Sequence, residues 1–281
     1  MKVLITHPGK FGDLIYALPA VIELQKFFNR EVHFQISEYC RPLKKLLEVQ
    51  PYINKVFINE NYKIEKISPG CQPWKMPEPK GYDKIFHLGI RPYREVVHLI
   101  EAPFEILKDE YNIDLPLNKD QRYLFLEKKH KDYISFNMYG ESFAPLNYFT
   151  LHFLTDLWHD ILKSVDEKCI AVSGISEISK YKMFDVELIC PVDFYETAQI
   201  INDSRCFVGL QSACAAVANG LKVPRVILCE YTNAIPTGDN FETIGFTDSI
   251  GKVIEKLRKF VKIKSNLAIL KGLSKDRVCL V

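Results

Sequence analysis

Long apolar runs are missing from this sequence: no stretch approaches the roughly 20 apolar residues that a membrane-spanning helix needs. The opening run Val3-Leu4-Ile5 is too short for a signal-peptide core, and no small-residue cleavage site follows it. These absences predict a cytoplasmic chain, with peripheral attachment to the inner membrane face left open. Eight cysteines are present, but none forms a C-x-x-C pair, and the seven histidines show no ligand spacing. The sequence therefore carries no zinc signature, and no metal is expected. Cys206 precedes Phe207-Val208 and Cys229 follows Val226-Ile227-Leu228, as buried reduced thiols do. An excess of charge is also lacking: 37 Lys and Arg against 35 Asp and Glu leave a net charge of +2. That is not the footprint of a dedicated nucleic-acid binder.

What is present is enough apolar surface for a real core. Hydrophobic residues make up 47% of the 281 residues and aromatics 12%, which excludes a disordered chain. The length fits two compact domains of roughly 100–200 residues each.

Strand-like and helix-like segments alternate along the chain. Val3-Leu4-Ile5 ends in a turn-like His7-Pro8-Gly9 and predicts a buried strand. Leu14, Ile15, Leu18, Ile22 and Phe28 follow at helical spacing, with Pro19 expected to kink that helix. Val32–Ile36, Val56–Ile58 and Lys84–Leu88 predict further strands, and residues 61–80 an irregular loop. Glu127–Asp132 is a charged stretch and the expected boundary between residues 1–128 and 133–263. Beyond it, strands are predicted at Tyr133–Phe136, Cys169–Val172, Val186–Ile189, Cys206–Val208 and Val226–Leu228. Helical spacing separates them, with a small-residue helix at 212–221. Such alternation implies α/β architecture with parallel sheets, and ligands at the carboxyl ends of the strands.

Two signals fall at such ends. His7-Pro8-Gly9-Lys10-Phe11-Gly12-Asp13 places Gly9 and Gly12 between a strand and a helix, where backbone N–H groups can approach an anion. It has neither G-x-G-x-x-G nor G-x-x-x-x-G-K-[ST] spacing, so a nicotinamide, flavin or P-loop site is unsupported. Asp13 reads as a helix cap or a catalytic base, and spacing does not choose. The second signal runs from Gly209 through Gln211-Ser212-Ala213 to Gly220. Its small residues would let a helix pack tightly and leave its N-terminus free for a diphosphate. The plain alternative is tight packing with Ser212 as a cap.

Gly12-Asp13 with Leu18-Pro19-Ala20, and Gly209 to Pro224, resemble the two motifs of glycosyltransferase family 9, the lipopolysaccharide heptosyltransferases. The resemblance implies a GT-B fold of two Rossmann-like domains, with the 264–281 tail packing back on the first. It also implies an inverting, metal-independent transfer that needs no cofactor beyond its nucleotide-sugar donor. Asp13 would then be the general base. Gln211, Ser212, Ala213, Tyr139, Gly174, Glu230, Tyr231 and Thr232 would face the donor. Gly9, Lys10, Gly12, Arg91 and Arg94 would face the acceptor, a saccharide or lipid-linked saccharide, with nucleic acid not favoured. The chain departs from the family pattern at Gln211, where the family carries Asp, at Ala213 (Gly) and at Ala216 (His). The family's usual Lys after the first strand of the second domain is absent from residues 137–142. Lys10, Lys180 and Lys182 are candidate replacement cations. A non-catalytic GT-B relative and a sugar-nucleotide epimerase remain as alternatives.

Overall fold

The computed structural model describes residues 1–62, 75–89, 99–139, 148–229, 241–244 and 248–264, with backbone alone at 148–153. The first sheet holds β1 (Val3–His7), β2 (Val32–Ser37), β3 (Lys55–Asn59) and β4 (Lys84–His87) in the order β3-β2-β1-β4, all parallel. The second holds β5 (Tyr133–Asn137), β6 (Lys168–Val172), β7 (Glu187–Ile189), β8 (Cys206–Leu210), β9 (Arg225–Leu228) and β10 (Phe241–Ile244). Its order is β10-β9-β8-β5-β6-β7, again parallel throughout. Ligand sites are expected where such an order reverses, outside the strand ends. In the second sheet that point lies between β5 and β8.

Every strand expected in the described residues forms. β10 was not foreseen: Phe241-Glu242-Thr243-Ile244 is an edge strand with only Ile244 buried, so its pattern is weak. The helices are α1 (Phe11–Phe28), α2 (Lys44–Glu48), α3 (Ala102–Tyr111), α4 (Tyr148–Ser164), α5 (Ile178–Tyr181), α6 (Phe194–Asp203), α7 (Ala213–Leu221) and α8 (Ile250–Leu257). α1 continues through Pro19 for 18 residues, so the proline does not end it. α3 starts at Ala102; residues 90–98 lie outside the described set, as do 265–281 of the tail.

α7 decides how the halves meet. Its Cys214 to Leu221 are all buried, between β8 on one side and α1 on the other. One apolar core accordingly runs from Val3, Ile5 and Leu14 to Ala198, Ile201 and Ala215–Ala218. Only small side chains permit that approach. A Cβ on Gly220 would meet the Tyr123 ring at 2.5 Å, and Tyr123 O–H reaches the Ala216 carbonyl at 3.2 Å. The segment after α3 forms a strap anchored at the buried Tyr123 and Leu124, whose N–H groups both donate to the Gly220 carbonyl. Glu127–Asp132 is solvated, as its charge suggested. A second core, around Phe136, Trp158 and Ile254, covers the other face of the second sheet.

Candidate active site

The N-termini of α1 and α7 converge. A Cβ on Gly12 would stand 3.7 Å from the Ala213 Cα and nitrogen, so the glycine leaves room for the two helix ends to meet. Beside them opens a cavity of about 460 Å³, within the usual range for small-molecule sites. Its walls include Lys10, Phe11, Gly12, Tyr39 and Pro42 from the first half. The second half supplies Asn137, Tyr139, Ser173, Gly174, Glu177, Asp193, Phe194, Thr197, Ser212, Ala213 and Cys214.

Six expected residues therefore come together here: Lys10, Gly12, Tyr139, Gly174, Ser212 and Ala213. Gly9, Asp13 and Gln211 do not line the cavity. Gly9 is buried behind it, donating to His7 Nδ1 (3.2 Å) and accepting from the Cys40 thiol. The Gln211 N–H is spent on the Leu228 carbonyl at 2.9 Å. Arg91, Arg94, Glu230, Tyr231 and Thr232 lie outside the described residues.

Asp13 is not the cap of α1. Lys10 holds that position, without a side-chain cap bond, and Asp13 sits in the first turn. The carboxylate is partly buried, and loss of hydration pushes it up to about 6 against the pull of Lys10. No described residue hydrogen-bonds it. His7 is buried and pushed down to about 3 by desolvation, so it is neutral at ordinary pH.

α7 is capped by Ser212, whose Oγ accepts from Ala215 N–H at 3.4 Å and donates to Asn137 Oδ1 at 3.0 Å. Asn137 in turn donates to the Val172 carbonyl at 3.1 Å, tying three strand ends together. Ala215 and Ala216 N–H are engaged by Ser212. Ala213 and Cys214, whose N–H groups are the next orphan donors of the helix, line the cavity. The β5 exit is clamped at Met138, whose N–H donates to Tyr181 Oη and whose carbonyl accepts from Trp158 Nε1, both at 3.1 Å. That clamp fixes Tyr139.

Sequence reasoning missed two acidic wall residues. Glu177 is neutralised by Lys180 at 3.3 Å, and Lys180 lies 5.5 Å above the Tyr139 ring. Asp193 caps α6 through Glu196 N–H and pairs with Lys45 of the first half at 3.1 Å. Asp193-x-x-Glu196 is a legible capping signal. Nothing in the spacing marks Glu177. An aromatic strip also crosses the cleft: Phe11 packs against Tyr39 and Phe194, each with ring centroids 5.3 Å apart. Val192 on the wall is 91% exposed.

Two parallel α/β halves with a cleft at their carboxyl ends define a GT-B fold. No family model and no curated protein matches the sequence. Solved structures do. E. coli heptosyltransferase WaaC, in a structure with ADP, superposes with a TM-score of 0.67 at 12% identity, over 93% of this chain and 100% of that one. E. coli heptosyltransferase II gives 0.65 at 13% identity over 98% and 100%. A family 9 glycosyltransferase from Veillonella parvula gives 0.59 at 14% over 93% and 90%. The chain shares their fold. Among the described residues no helix is long and apolar enough to cross a membrane, and no group of three metal-ligating side chains occurs.

Proposed function

We propose that the protein is an inverting glycosyltransferase that moves a sugar from a nucleotide-sugar donor to an acceptor hydroxyl without a metal. One observation supports the reading: the N-terminus of α7, capped by Ser212, and the N-terminus of α1 at Lys10–Gly12 open into the same cavity, with Asp13 next in the chain after the wall residue Gly12. The donor diphosphate would lie on the Ala213 and Cys214 N–H groups, with Lys10 and Lys180 as the nearby cations. The acceptor oxygen attacks the anomeric carbon, and its proton passes to the Asp13 carboxylate. The bond from the anomeric carbon to the phosphate oxygen breaks, and the electron pair leaves on the diphosphate. Preorganised N–H groups stabilise that charge. A carboxyl near 6 is largely ionised at neutral pH yet basic enough to take a proton. The exposed Val192 and Tyr39 on the cavity wall support an acceptor whose saccharide is carried on an apolar group.

A thermal-shift screen of nucleoside diphosphates and their sugars tests this. A ligand at a hundredfold excess over its dissociation constant stabilises by about 2.7 kcal/mol. One nucleoside diphosphate should shift the protein, and Asp13→Asn should keep the shift while losing transfer. Full transfer by Asp13→Asn sinks the base assignment. A flat screen moves the reading to a non-catalytic GT-B relative.

A further inference from the structure

The polar groups at the N-terminus of α7 admit only one arrangement of donors and acceptors. The Val172 carbonyl can only accept, so the Asn137 amide turns Nδ2 toward it, at 3.1 Å. That leaves Asn137 Oδ1, an acceptor, toward Ser212, whose hydroxyl donates to it at 3.0 Å. With its one proton given there, Ser212 Oγ accepts from Ala215 N–H at 3.4 Å. This relay of bonds links the exits of β6, β5 and β8 to the first turn of α7. Asn137 is 6% exposed, and both ends of its amide are engaged inside the protein.

Two features hold Asn137 in place. It stands opposite Gly209 in the β5–β8 register, and a Cβ on Gly209 would come within 2.7 Å of the Asn137 carbonyl oxygen. A glycine there lets the two strand ends close up. The next residue, Met138, is clamped at its N–H by Tyr181 and at its carbonyl by Trp158.

The relay has a consequence for the cleft. A hydroxyl committed to Asn137 cannot also donate to an anion, and the Ala215 and Ala216 N–H groups are engaged by Ser212. The α7 end can therefore receive an anion only through the N–H groups of Ala213 and Cys214, both wall residues. Ser212 sets where those two groups stand, and Asn137 sets the rotamer of Ser212.

We propose that Asn137 is a positioning residue for the donor diphosphate, acting through Ser212 on the N–H pair of Ala213 and Cys214. This role rests on the diphosphate lying at α7, as proposed for the transferase.

Calorimetric titration of the full chain with ADP, GDP, CDP and UDP, and saturation-transfer NMR with the matching nucleosides, tests it. The parent should bind one of the diphosphates. Asn137→Leu removes both side-chain bonds and should weaken that diphosphate about tenfold, with nucleoside affinity unchanged. In a Ser212→Ala background the same substitution should weaken it no further, because the residue acts through Ser212. Asn137→Ala serves if Asn137→Leu fails to fold. A merely structural role would weaken nucleoside and diphosphate alike, and would add to Ser212→Ala. Either result overturns the proposal, as does an unchanged diphosphate affinity. A parent that binds none of the diphosphates overturns the transferase reading itself; a binding parent with an indifferent Asn137→Leu removes the role of this residue alone.

Discussion

Ser212 Oγ donates to Asn137 Oδ1 at 3.0 Å while accepting from the first turn of α7, so one hydroxyl joins the exits of β8 and β5 at the point where the strand order reverses. Ser212→Ala removes both bonds. It should cost about 1 kcal/mol of stability as a lost cap, read by denaturant unfolding. If the diphosphate sits on this helix end, nucleotide affinity should fall as well. Unchanged nucleotide affinity would move the phosphate elsewhere.

Asp13 gives a pH signature in two observables. Its folded value, about 6, is raised above the ordinary 3.8. A raised carboxyl contributes stability below the unfolded value and loses it as pH climbs through the folded one. Asp13→Asn should therefore be more stable than the parent above pH 6, by no more than about 3 kcal/mol, and level with it below about pH 4. Transfer by the parent should rise with pH through about 6, because the base must be ionised. Thermal melts and a pH–rate profile check both; a rate independent of pH across that interval contradicts the role.

Gly220→Ala should destabilise by about 1–3 kcal/mol through overpacking, since the new methyl meets the Tyr123 ring and the Leu124 side chain. The damage should spread to the strap, whose Tyr123 and Leu124 N–H groups bond the Gly220 carbonyl. Hydrogen exchange at those two amides should quicken. Unaltered protection would show that the strap holds without α7.

Phe194→Ala removes the edge-to-face contact with Phe11 that bridges the cleft wall. Such pairs contribute about 0.5–1.5 kcal/mol beyond their area. The Lys45–Asp193 pair beside it is largely solvated and should add little. A double-mutant cycle should therefore show a coupling for Phe11 and Phe194 that persists in high salt, and one for Lys45 and Asp193 that does not.

The exposed Val192 side chain predicts acceptor choice. Val192→Asp should lower transfer to an acceptor on an apolar carrier and spare the same saccharide freed from it, since Val192 lies 91% exposed beside the cleft. Equal loss on both acceptors would make its role structural.

The alternation of elements is legible in the order of residues alone. Buried strands such as Val3–His7 and Cys206–Leu210 write themselves as apolar runs, and the helices between them as apolar spacing. The residue order also marked Gly12, Ser212 and Ala213, because glycine and small or capping residues suit a strand-to-helix turn near a ligand. The chain alone did not decide that Asp13 lies in the first turn behind the wall, since a cap and a base share residue type and spacing. Nor did it reveal that Phe11, Glu177 and the Asp193-Phe194 pair, from three separate parts of the chain, share one wall. Local pattern sets which segments become strands and helices; which side chains face one another is settled by packing between segments remote in the chain.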